Sequence, residues 1–441
     1  MTTPYGSRRD AFAHALGDGV AVIPAARHAS RNADTEYEYR QNSDFYYLTG
    51  FTEPEAVLVL APRNEKEPSV LFLRERDPEA EIWTGRRVGV EAAPGQFGVT
   101  AAYPIAELPK RLPDLLVGSP ALYYGLGVND EMDRTVITAV KAARHTVRRG
   151  GTAPRSYVEP GNILHEMRLH KSDDEIALMR RAAAASRAGH EAAMRATRPG
   201  LWEYELEAII EYEYRAAGAQ DVAYPSIVAG GSNATILHYN TNRDRLRDGD
   251  LVLVDSGAEV DLYASDVTRT WPVSGRFTPE QRAIYDLVLR AQVAGIEEVR
   301  PGRPVDAYHR AAVRTLTEGL RDLGLLSGAI DEIIEKEEYS KFYPHRTGHY
   351  IGIDVHDVGR YTEAEKTFRK FEPGMVVTVE PGLYVRPDAD VPDRWKGIGV
   401  RIEDDILCTA GEPENLTGDI PKDVDALEAI VGSGVLVRSV T

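Results

Sequence analysis

Three of the eleven histidines in the chain, His345, His349 and His356, fall within twelve residues. Acidic residues also stand at the ends of two strongly apolar runs, at Asp255 and Glu380. Imidazole and carboxylate groups are the usual protein ligands of divalent metal ions. The pattern therefore predicts a metal site whose ligands come from distant parts of one domain.

The two acidic strand segments resemble each other. Residues 249–257 and 374–382 each place a glycine six residues before the carboxylate and another glycine two residues after it. Each segment is followed by a second acidic position, Asp266 in one case and Glu403 in the other, and preceded by two helical stretches. This shared order predicts two copies of one unit, facing each other across a pseudo-twofold axis. Chance similarity between two common strand patterns is the alternative.

Convergence of the two copies would create a strongly charged site. Side chains alternate along a strand, so Asp255 and Glu380 each share a face with apolar residues. If the copies face each other, four carboxylates converge: Asp255, Asp266, Glu380 and Glu403. They would repel one another, and two divalent ions supply the four positive charges that neutralise them. Oxygen donors with one imidazole suit Mn, Co or Zn, and a water between two such ions ionises near neutral pH and attacks a carbonyl.

Each candidate also has an ordinary structural explanation when taken alone. Asp255 at a strand end is typical of a turn, and Asp266 could cap the backbone or pair with Arg269. The acidic run 403–405 would fit a solvated surface, and His356 would fit a packed core. It is the set as a whole that favours a metal centre.

Composition narrows the class of protein. A chain of 441 residues predicts two domains. The 52 basic and 69 acidic residues give a net charge of −17, which argues against nucleic-acid and anionic-membrane partners. The single cysteine, Cys408, cannot form an internal disulfide, and residues 1–10 lack the apolar stretch of a signal peptide. We expect a cytoplasmic protein without a membrane span.

The N-terminal part has the pattern of a mixed α/β domain. We predict helices at 7–17 and 130–149 and strands at 20–24, 56–61, 69–73 and 121–124. The aromatic segment 42–50 is interpreted as a packed strand and turn. No catalytic constellation is evident in this domain.

Helix signals in the C-terminal part occur twice. Ser172 with Glu175, and Thr278 with Gln281, have the form of capping boxes. The helix behind each box ends at an Arg-Pro-Gly triplet, and a second helix follows. We predict these second helices at about 203–217 and up to about Leu323.

The five metal-ligand candidates and several other segments resemble those of a known protein family. The residues Asp255, Asp266, His349, Glu380 and Glu403 resemble the ligand set of the dinuclear metallopeptidases with the pita-bread fold, which include methionine aminopeptidase and prolidase. Five further segments are similar to the aminopeptidase P (Xaa-Pro aminopeptidase) branch, and the likeness covers nearly the whole chain: residues 42–56, 80–87, 236–239, 354–359 and 397–405.

The resemblance implies an α+β fold in two domains. Residues 166–441 would form the pita-bread catalytic domain, similar to creatinase and methionine aminopeptidase, with an internal pseudo-twofold repeat. Residues 1–165 would form a smaller mixed α/β domain that mediates oligomerisation and covers a neighbouring site. We expect a homodimer or a homotetramer.

The resemblance also implies a role for each ligand. Asp266 and Glu403 would bridge two divalent metal ions per subunit, with Mn²⁺ expected and Co²⁺ or Zn²⁺ as alternatives. Asp255 would complete one ion, and His349 and Glu380 the other. Glu380 would also accept a proton from the attacking water.

Other residues would hold the substrate. Three histidines would line the pocket and stabilise charge on the tetrahedral intermediate: His238, His345 and His356. Arg401 would hold a ligand carboxylate, and Tyr384 is a further candidate for the pocket. Trp83 and Arg148 are candidates for reaching a neighbouring active site.

The implied activity is removal of the first residue from peptides with proline in second position, by metal-bridged hydroxide. Proline leaves no N–H on the scissile amide, so a pocket for its ring would confer selectivity. One alternative is prolidase, which cleaves only Xaa-Pro dipeptides. The others are a non-catalytic binding module and a metal-free hydrolase resembling creatinase, and the intact ligand set disfavours both.

Overall fold

The computed structural model describes residues 3–434, apart from the side chains of Arg148 and Arg149, and divides into two compact units. The first unit extends to Met167 and the second begins at Arg168. The domain boundaries and roles predicted for residues 1–165 and 166–441 stay predictions. Every helix among the described residues is too short or too polar to cross a membrane.

The first unit is built on a six-stranded mixed sheet. Its strands lie in the spatial order Ala101–Pro104, Ser69–Leu73, Val57–Leu60, Val20–Pro24, Ala121–Tyr123 and Ser156–Val158. The strand Val57–Leu60 is antiparallel to both of its neighbours, and the remaining pairs are parallel. A separate hairpin comprises Ser30–Asn32 and Thr35–Glu36. The four strands predicted in this region are all present.

The helices of the first unit are Pro4–Leu16, Ser43–Thr49, Pro78–Thr84, Ala93–Phe97, Leu108–Leu116 and Asp130–Arg144. Of these, Leu108–Leu116 and Asp130–Arg144 are amphipathic and pack against the sheet through buried aliphatic residues. Short 3₁₀ turns span Ile105–Glu107 and His145–Arg149, and the helix Gly161–Leu169 crosses the boundary between the units. The helix predicted at 130–149 thus tightens into a 3₁₀ turn after Arg144.

The interpretation of residues 42–50 as a strand and turn was wrong. Ser43–Thr49 is a helix, and the Asn42 side chain accepts a hydrogen bond from the Phe45 N–H at 2.9 Å. Gly50 closes the helix with a φ of 67°, a left-handed conformation that glycine adopts without strain. The two caps and the tertiary packing outweigh the strand preference of the aromatic residues.

The second unit repeats a pair of helices. Asp173–Ala196 packs on Glu203–Ala216, and Pro279–Ile296 packs on Ala307–Asp322. Both predicted capping boxes are confirmed, at Ser172 with Glu175 and at Thr278 with Gln281. Shorter helices are Ile330–Glu335 and Val424–Ile430, and 3₁₀ turns span Gly231–Thr235, Glu338–Lys341 and Asp393–Trp395.

Short antiparallel sheets accompany each helix pair. The first copy has the strands Asp221–Val222, Ile227–Gly230, Leu251–Asp255, Ala258–Val260, Tyr263–Ala264 and Thr268–Pro272. The second has Val376–Val379, Gly382–Val385, Ile398–Arg401, Asp404–Leu407 and Glu414–Asn415, and a hairpin of Thr362–Ala364 with Thr367–Phe368. The C-terminal unit therefore has the predicted pita-bread architecture, with helices and sheets in the same order in both copies.

The two central strands direct their acidic ends to the same side. In Leu251–Asp255, Val252 and Val254 pack into the large helical core, while Leu253 packs beside Tyr384 in a separate small cluster. Asp255 continues the face of Leu253 because side chains alternate. In the second copy, the Thr378 hydroxyl accepts a hydrogen bond from the His349 N–H at 3.1 Å, so that face meets the histidine segment.

Glycines allow the neighbouring segments to come this close. A Cβ at Gly257 would lie 1.7 Å from the carbonyl oxygen of Ser265, which directly precedes Asp266. A Cβ at Gly348 would lie 1.9 Å from the carbonyl oxygen of Thr378. Both contacts are with backbone, so neither can be relieved by a side-chain rotation.

We predict that Gly257→Ala destabilises the second unit by about 1–3 kcal/mol or more, because overpacking forces the backbone apart. Thermal unfolding followed by circular dichroism measures the change. Gly411→Ala is the matched control, since its Cβ would meet an oxygen no closer than 4.0 Å. Equal melting temperatures for the two variants would contradict the close approach described here.

Candidate metal centre

The second unit contains a cavity of about 580 Å³ whose walls include all five predicted ligands. The residues that line it and were predicted for the site are Asp255, Asp266, His349, Glu380, Glu403, His238, His345, His356 and Arg401. Residues up to 165 positions apart in the chain thus surround one space. The ends of the central strands and the loops beside them bring these residues together.

Strand ends and backbone hydrogen bonds position the four acidic ligand candidates. Asp255 ends the first central strand, and Glu380 directly follows the second, where its N–H donates to the Thr347 carbonyl at 2.7 Å. The Asp266 N–H donates to Oδ2 of Asp405 at 3.1 Å. The Glu403 N–H donates to the Thr268 carbonyl at 3.0 Å. These bonds hold the backbone of Glu380, Asp266 and Glu403 in place.

Three donors lie close enough together to share one ion. Asp266, His349 and Glu403 each offer a ligand atom, and these atoms lie within 4.8 Å of one another. Nε2 of His349 lies 3.4 Å from Oδ2 of Asp266 and 3.9 Å from Oε1 of Glu380. Asp255 reaches the other side of Asp266 through a shared hydrogen-bond partner, Tyr224.

The electrostatics of the cavity favour added positive charge. Burial raises the pKa of Glu380 to about 7, and burial together with Asp266 raises the pKa of Glu403 well above its usual range. Burial alone would lower the pKa of His349, but the hydrogen bond and charge of Asp266 raise it to about 9. Buried carboxylates at this spacing repel one another, and divalent cations would offset that repulsion. Four carboxylates and one imidazole are suitable ligands for such ions.

Arg401 contacts one of the ligand candidates, Asp255. Its guanidinium donates to Oδ2 of Asp255, to the Thr268 hydroxyl at 3.0 Å and to the Tyr384 hydroxyl at 3.0 Å. The Tyr384 hydroxyl lies 2.8 Å from Nε2 of His345. Tyr384 itself is buried behind the cavity wall, so it supports Arg401 and His345 from behind.

His345 is held as a neutral ring by this chain of hydrogen bonds. Its Nδ1 lies 2.7 Å from the Arg346 carbonyl oxygen, which can only accept, so Nδ1 donates. Nε2 therefore accepts from Tyr384. Burial and then the charge of Arg401 lower the pKa of His345 to about 3, in agreement with a neutral imidazole.

Tyr224 is a site residue that the sequence analysis missed. Its hydroxyl lies 2.6 Å from Oδ1 of Asp255 and also contacts Oδ1 of Asp266. Burial and these two carboxylates raise its pKa well above the usual range, so the hydroxyl stays protonated and donates. Tyr224 precedes the strand Ile227–Gly230, in which Ile227 pairs with Asp255. Strand pairing was the signal that could have found it, and pairing is not evident from one sequence.

The remaining candidates are distributed as follows. His238 and His356 are exposed residues of the cavity wall, and the rings of His356 and His349 lie 4.2 Å apart. His356 is therefore not a core histidine. Trp83 lies in the first unit and is 87% exposed. The side chain of Arg148 lies outside the described residues.

Two ordinary explanations for the acidic residues are wrong. The run 403–405 is not a solvated surface, because all three side chains are buried. Arg269 does not pair with Asp266; it forms a buried ion pair with Asp404 at 2.7 Å and donates to the Glu403 carbonyl.

Models of two protein families match this chain. The model of metallopeptidase family M24 matches residues 177–410, and the model of the aminopeptidase P N-terminal domain matches residues 5–123. Xaa-Pro aminopeptidase of Escherichia coli is 45% identical over 429 residues, which are 97% of this chain and 97% of that protein.

Solved structures give the same result. Pseudomonas aeruginosa aminopeptidase PepP is 49% identical with a TM-score of 0.94, covering 97% of each chain. Zn-substituted Escherichia coli aminopeptidase P in complex with product is 45% identical with a TM-score of 0.93, again covering 97% of each chain.

The chain belongs to the metallopeptidase family M24. Within that family it belongs to the aminopeptidase P branch, since it also carries that branch's N-terminal domain. The recognition made from the residues is confirmed, and the chain is a metal-dependent aminopeptidase.

We predict that Tyr224→Phe lowers metal affinity by about 10–100-fold, because it removes the group that orients two ligand carboxylates. Titration of Mn²⁺ against a competing chelator measures the loss. Tyr212→Phe, at a residue that is 69% exposed, is the matched control. Unchanged affinity in a folded Tyr224→Phe protein would show that the hydroxyl does not support the ligands.

Proposed function

We propose that the chain releases the N-terminal residue from peptides with proline in second position. The observation that carries this proposal is the meeting of five metal-ligand candidates in one cavity of about 580 Å³. The full-length similarity to Xaa-Pro aminopeptidase of Escherichia coli supports the substrate class.

Two divalent ions per subunit would be held by the residues of the cavity. Asp266, Glu403 and His349 would hold the ions together with Asp255 and Glu380, since ligand atoms of the first three lie within 4.8 Å of one another and all five residues line the cavity. Mn²⁺ is the expected metal, with Co²⁺ or Zn²⁺ as alternatives; Zn²⁺ was accommodated in the Escherichia coli relative. Bound ions supply Lewis acidity, which lowers the pKa of water and polarises the peptide carbonyl.

The side chains of the cavity would position the substrate and move protons. Glu380 would accept the proton that water loses, since its Oε2 faces the cavity within 4.0 Å of the His345 ring. His238 and His356 have exposed rings that can donate to the peptide carbonyl and to the charge that develops on it. His345 has both nitrogens engaged, so it would position Tyr384 and Arg401.

Selectivity for proline would come from shape. The scissile Xaa-Pro amide has no N–H to recognise, so a peptidase cannot hold it by that bond. Apolar side chains stand among the polar ones of the cavity wall, at Ile227, Leu237 and Val355. Such surfaces would receive the pyrrolidine ring through van der Waals contact.

The assembly and location of the enzyme are further parts of the proposal. Ile82 and Trp83 are 80% and 87% exposed on one short helix, which is unusual for large apolar residues. A second copy of the chain would cover them in a homodimer or homotetramer. Trp83 and Arg148 would reach the active site of a neighbouring subunit in that assembly. A cytoplasmic location stays a prediction.

We predict that the wild-type protein binds two equivalents of Mn²⁺ and that Asp266→Ala loses both metal binding and turnover. Elemental analysis of the purified proteins measures the stoichiometry. Asp286→Ala is the matched control, because it removes a carboxylate that pairs with Arg282 on a helix surface. An active Asp266→Ala protein would support the metal-free alternative that resembles creatinase.

We predict that the enzyme hydrolyses the tripeptide Ala-Pro-Ala and releases free alanine. Ala-Ala-Ala should be at least roughly tenfold poorer in kcat/KM, because the proline-ring contacts are lost. Chromatography of the products decides between the activities. Cleavage confined to the dipeptide Ala-Pro would identify a prolidase, and no cleavage with added Mn²⁺, Co²⁺ or Zn²⁺ would identify a binding module.

A further inference from the structure

A second, smaller cavity adjoins the metal cavity. It has a volume of about 360 Å³ and shares two wall residues with the metal cavity, Arg346 and Gly348. Its other wall residues are Val305, Asp306, Tyr308, His309, Tyr361 and Phe368. The segment between His345 and His349 therefore contributes to the walls of both cavities. We call the smaller one the side cavity.

Arg346, in the wall shared by the two cavities, is a positively charged residue whose guanidinium is available to a ligand. Its side chain is exposed, and within residues 3–434 its guanidinium has no hydrogen-bond or ion-pair partner. Arg401, the other arginine of the metal cavity, is bound to Asp255 and Tyr384. Asp306, the acidic residue of the side cavity, forms an ion pair with Arg310. Arg346 is thus available for a ligand.

The charge of Arg346 acts on the side cavity. Burial, and then the positive charge of Arg346, lower the pKa of His309 to about 4. His309 is therefore neutral near pH 7, and its Nδ1 is engaged with the Thr347 hydroxyl at 2.8 Å. The side cavity thus combines aromatic walls with the permanent positive charge of Arg346 and with the Asp306 carboxylate, which is paired with Arg310. The guanidinium of Arg346 is a suitable partner for the carboxylate end of a peptide.

We propose that Arg346 binds a carboxylate of the substrate downstream of the proline, and that the side cavity receives this part of the peptide. The inference rests on the proposed function. The length of the substrate agrees with the position of Arg346 relative to His349. A residue two positions beyond the scissile carbonyl lies about 7 Å from it in an extended chain. Arg346 lies three positions before His349, so their Cα atoms are within about 11 Å, and the arginine side chain can cover the difference.

The carboxylate has two possible sources, the C-terminus of a tripeptide or an acidic side chain after the proline. Two peptide pairs distinguish them: Ala-Pro-Ala against Ala-Pro-Ala amide, and Ala-Pro-Glu amide against Ala-Pro-Gln amide. We expect wild type to favour the charged member of at least one pair by about threefold to tenfold in kcat/KM. The preference should lie in KM, because Arg346 is remote from the reacting bond, and should weaken with added salt.

Arg346→Gln should abolish this preference by lowering kcat/KM for the charged peptides toward the values of Ala-Pro-Ala amide and Ala-Pro-Gln amide, while Arg346→Lys should restore part of the preference. Arg321→Gln, at an exposed helix residue, is the matched control. Equal preference in wild type and Arg346→Gln overturns the proposal, and so does equal loss on charged and uncharged peptides. Turnover of Ala-Pro-Ala amide by wild type reports separately on the proposed function.

Binding gives the same comparison without turnover. Calorimetry of the product-like dipeptide Pro-Ala and its amide, each with the Mn²⁺-loaded enzyme, should show tighter binding of the free carboxylate in wild type and equal binding in Arg346→Gln. Equal binding of Pro-Ala and its amide by wild type overturns a role for Arg346 at the C-terminus. In that case the comparison of Ala-Pro-Glu amide with Ala-Pro-Gln amide alone tests the proposal. If wild type shows no preference for the charged peptide of this pair, the proposal is overturned entirely.

Discussion

Repulsion between buried carboxylates is the constraint on which the second unit depends. Asp255, Asp266, Glu380 and Glu403 surround one cavity, and burial alone disfavours each charge. Arg401 offsets part of the negative charge by its contact with Asp255. The negative charge that remains explains why the pKa of Glu380 and the pKa of His349 are both raised, and why these side chains are suitable ligands for divalent cations.

The architecture keeps these groups together despite their repulsion. Each copy of the repeat supplies carboxylates at or just after the ends of short strands, where the backbone is already hydrogen-bonded. Gly257 and Gly348 allow backbone segments to approach so closely that any side chain would collide with a carbonyl group. The geometry is therefore stabilised by main-chain packing in two helix-backed sheets, and the cost of assembling the charges is offset elsewhere in the fold.

In the proposed function, catalysis and selectivity would depend on different parts of the cavity. The ligand carboxylates and His349 would set the metal chemistry, while Arg401, Tyr384 and neutral His345 form a fixed chain of hydrogen bonds beside them. Exposed residues around the opening remain free to contact substrate. Such a division lets the rigid centre stay unchanged while the rim adapts to different peptides.

Residue types and spacing in the sequence predicted the capped helices and the repeated unit, and they also indicated five ligand candidates that line one cavity. These features are local, since caps act within one turn and strand faces alternate regularly. The segment 42–50 was misjudged because its caps outweighed the strand preference of its aromatic residues. Only the tertiary structure determined the environment of adjacent acidic side chains. Glu403 faces the other carboxylates, whereas Asp404 forms ion pairs with Arg269 and Lys422. The same holds for Tyr224 and for the side cavity at Arg346, because contacts between distant segments depend on how strands pair and pack.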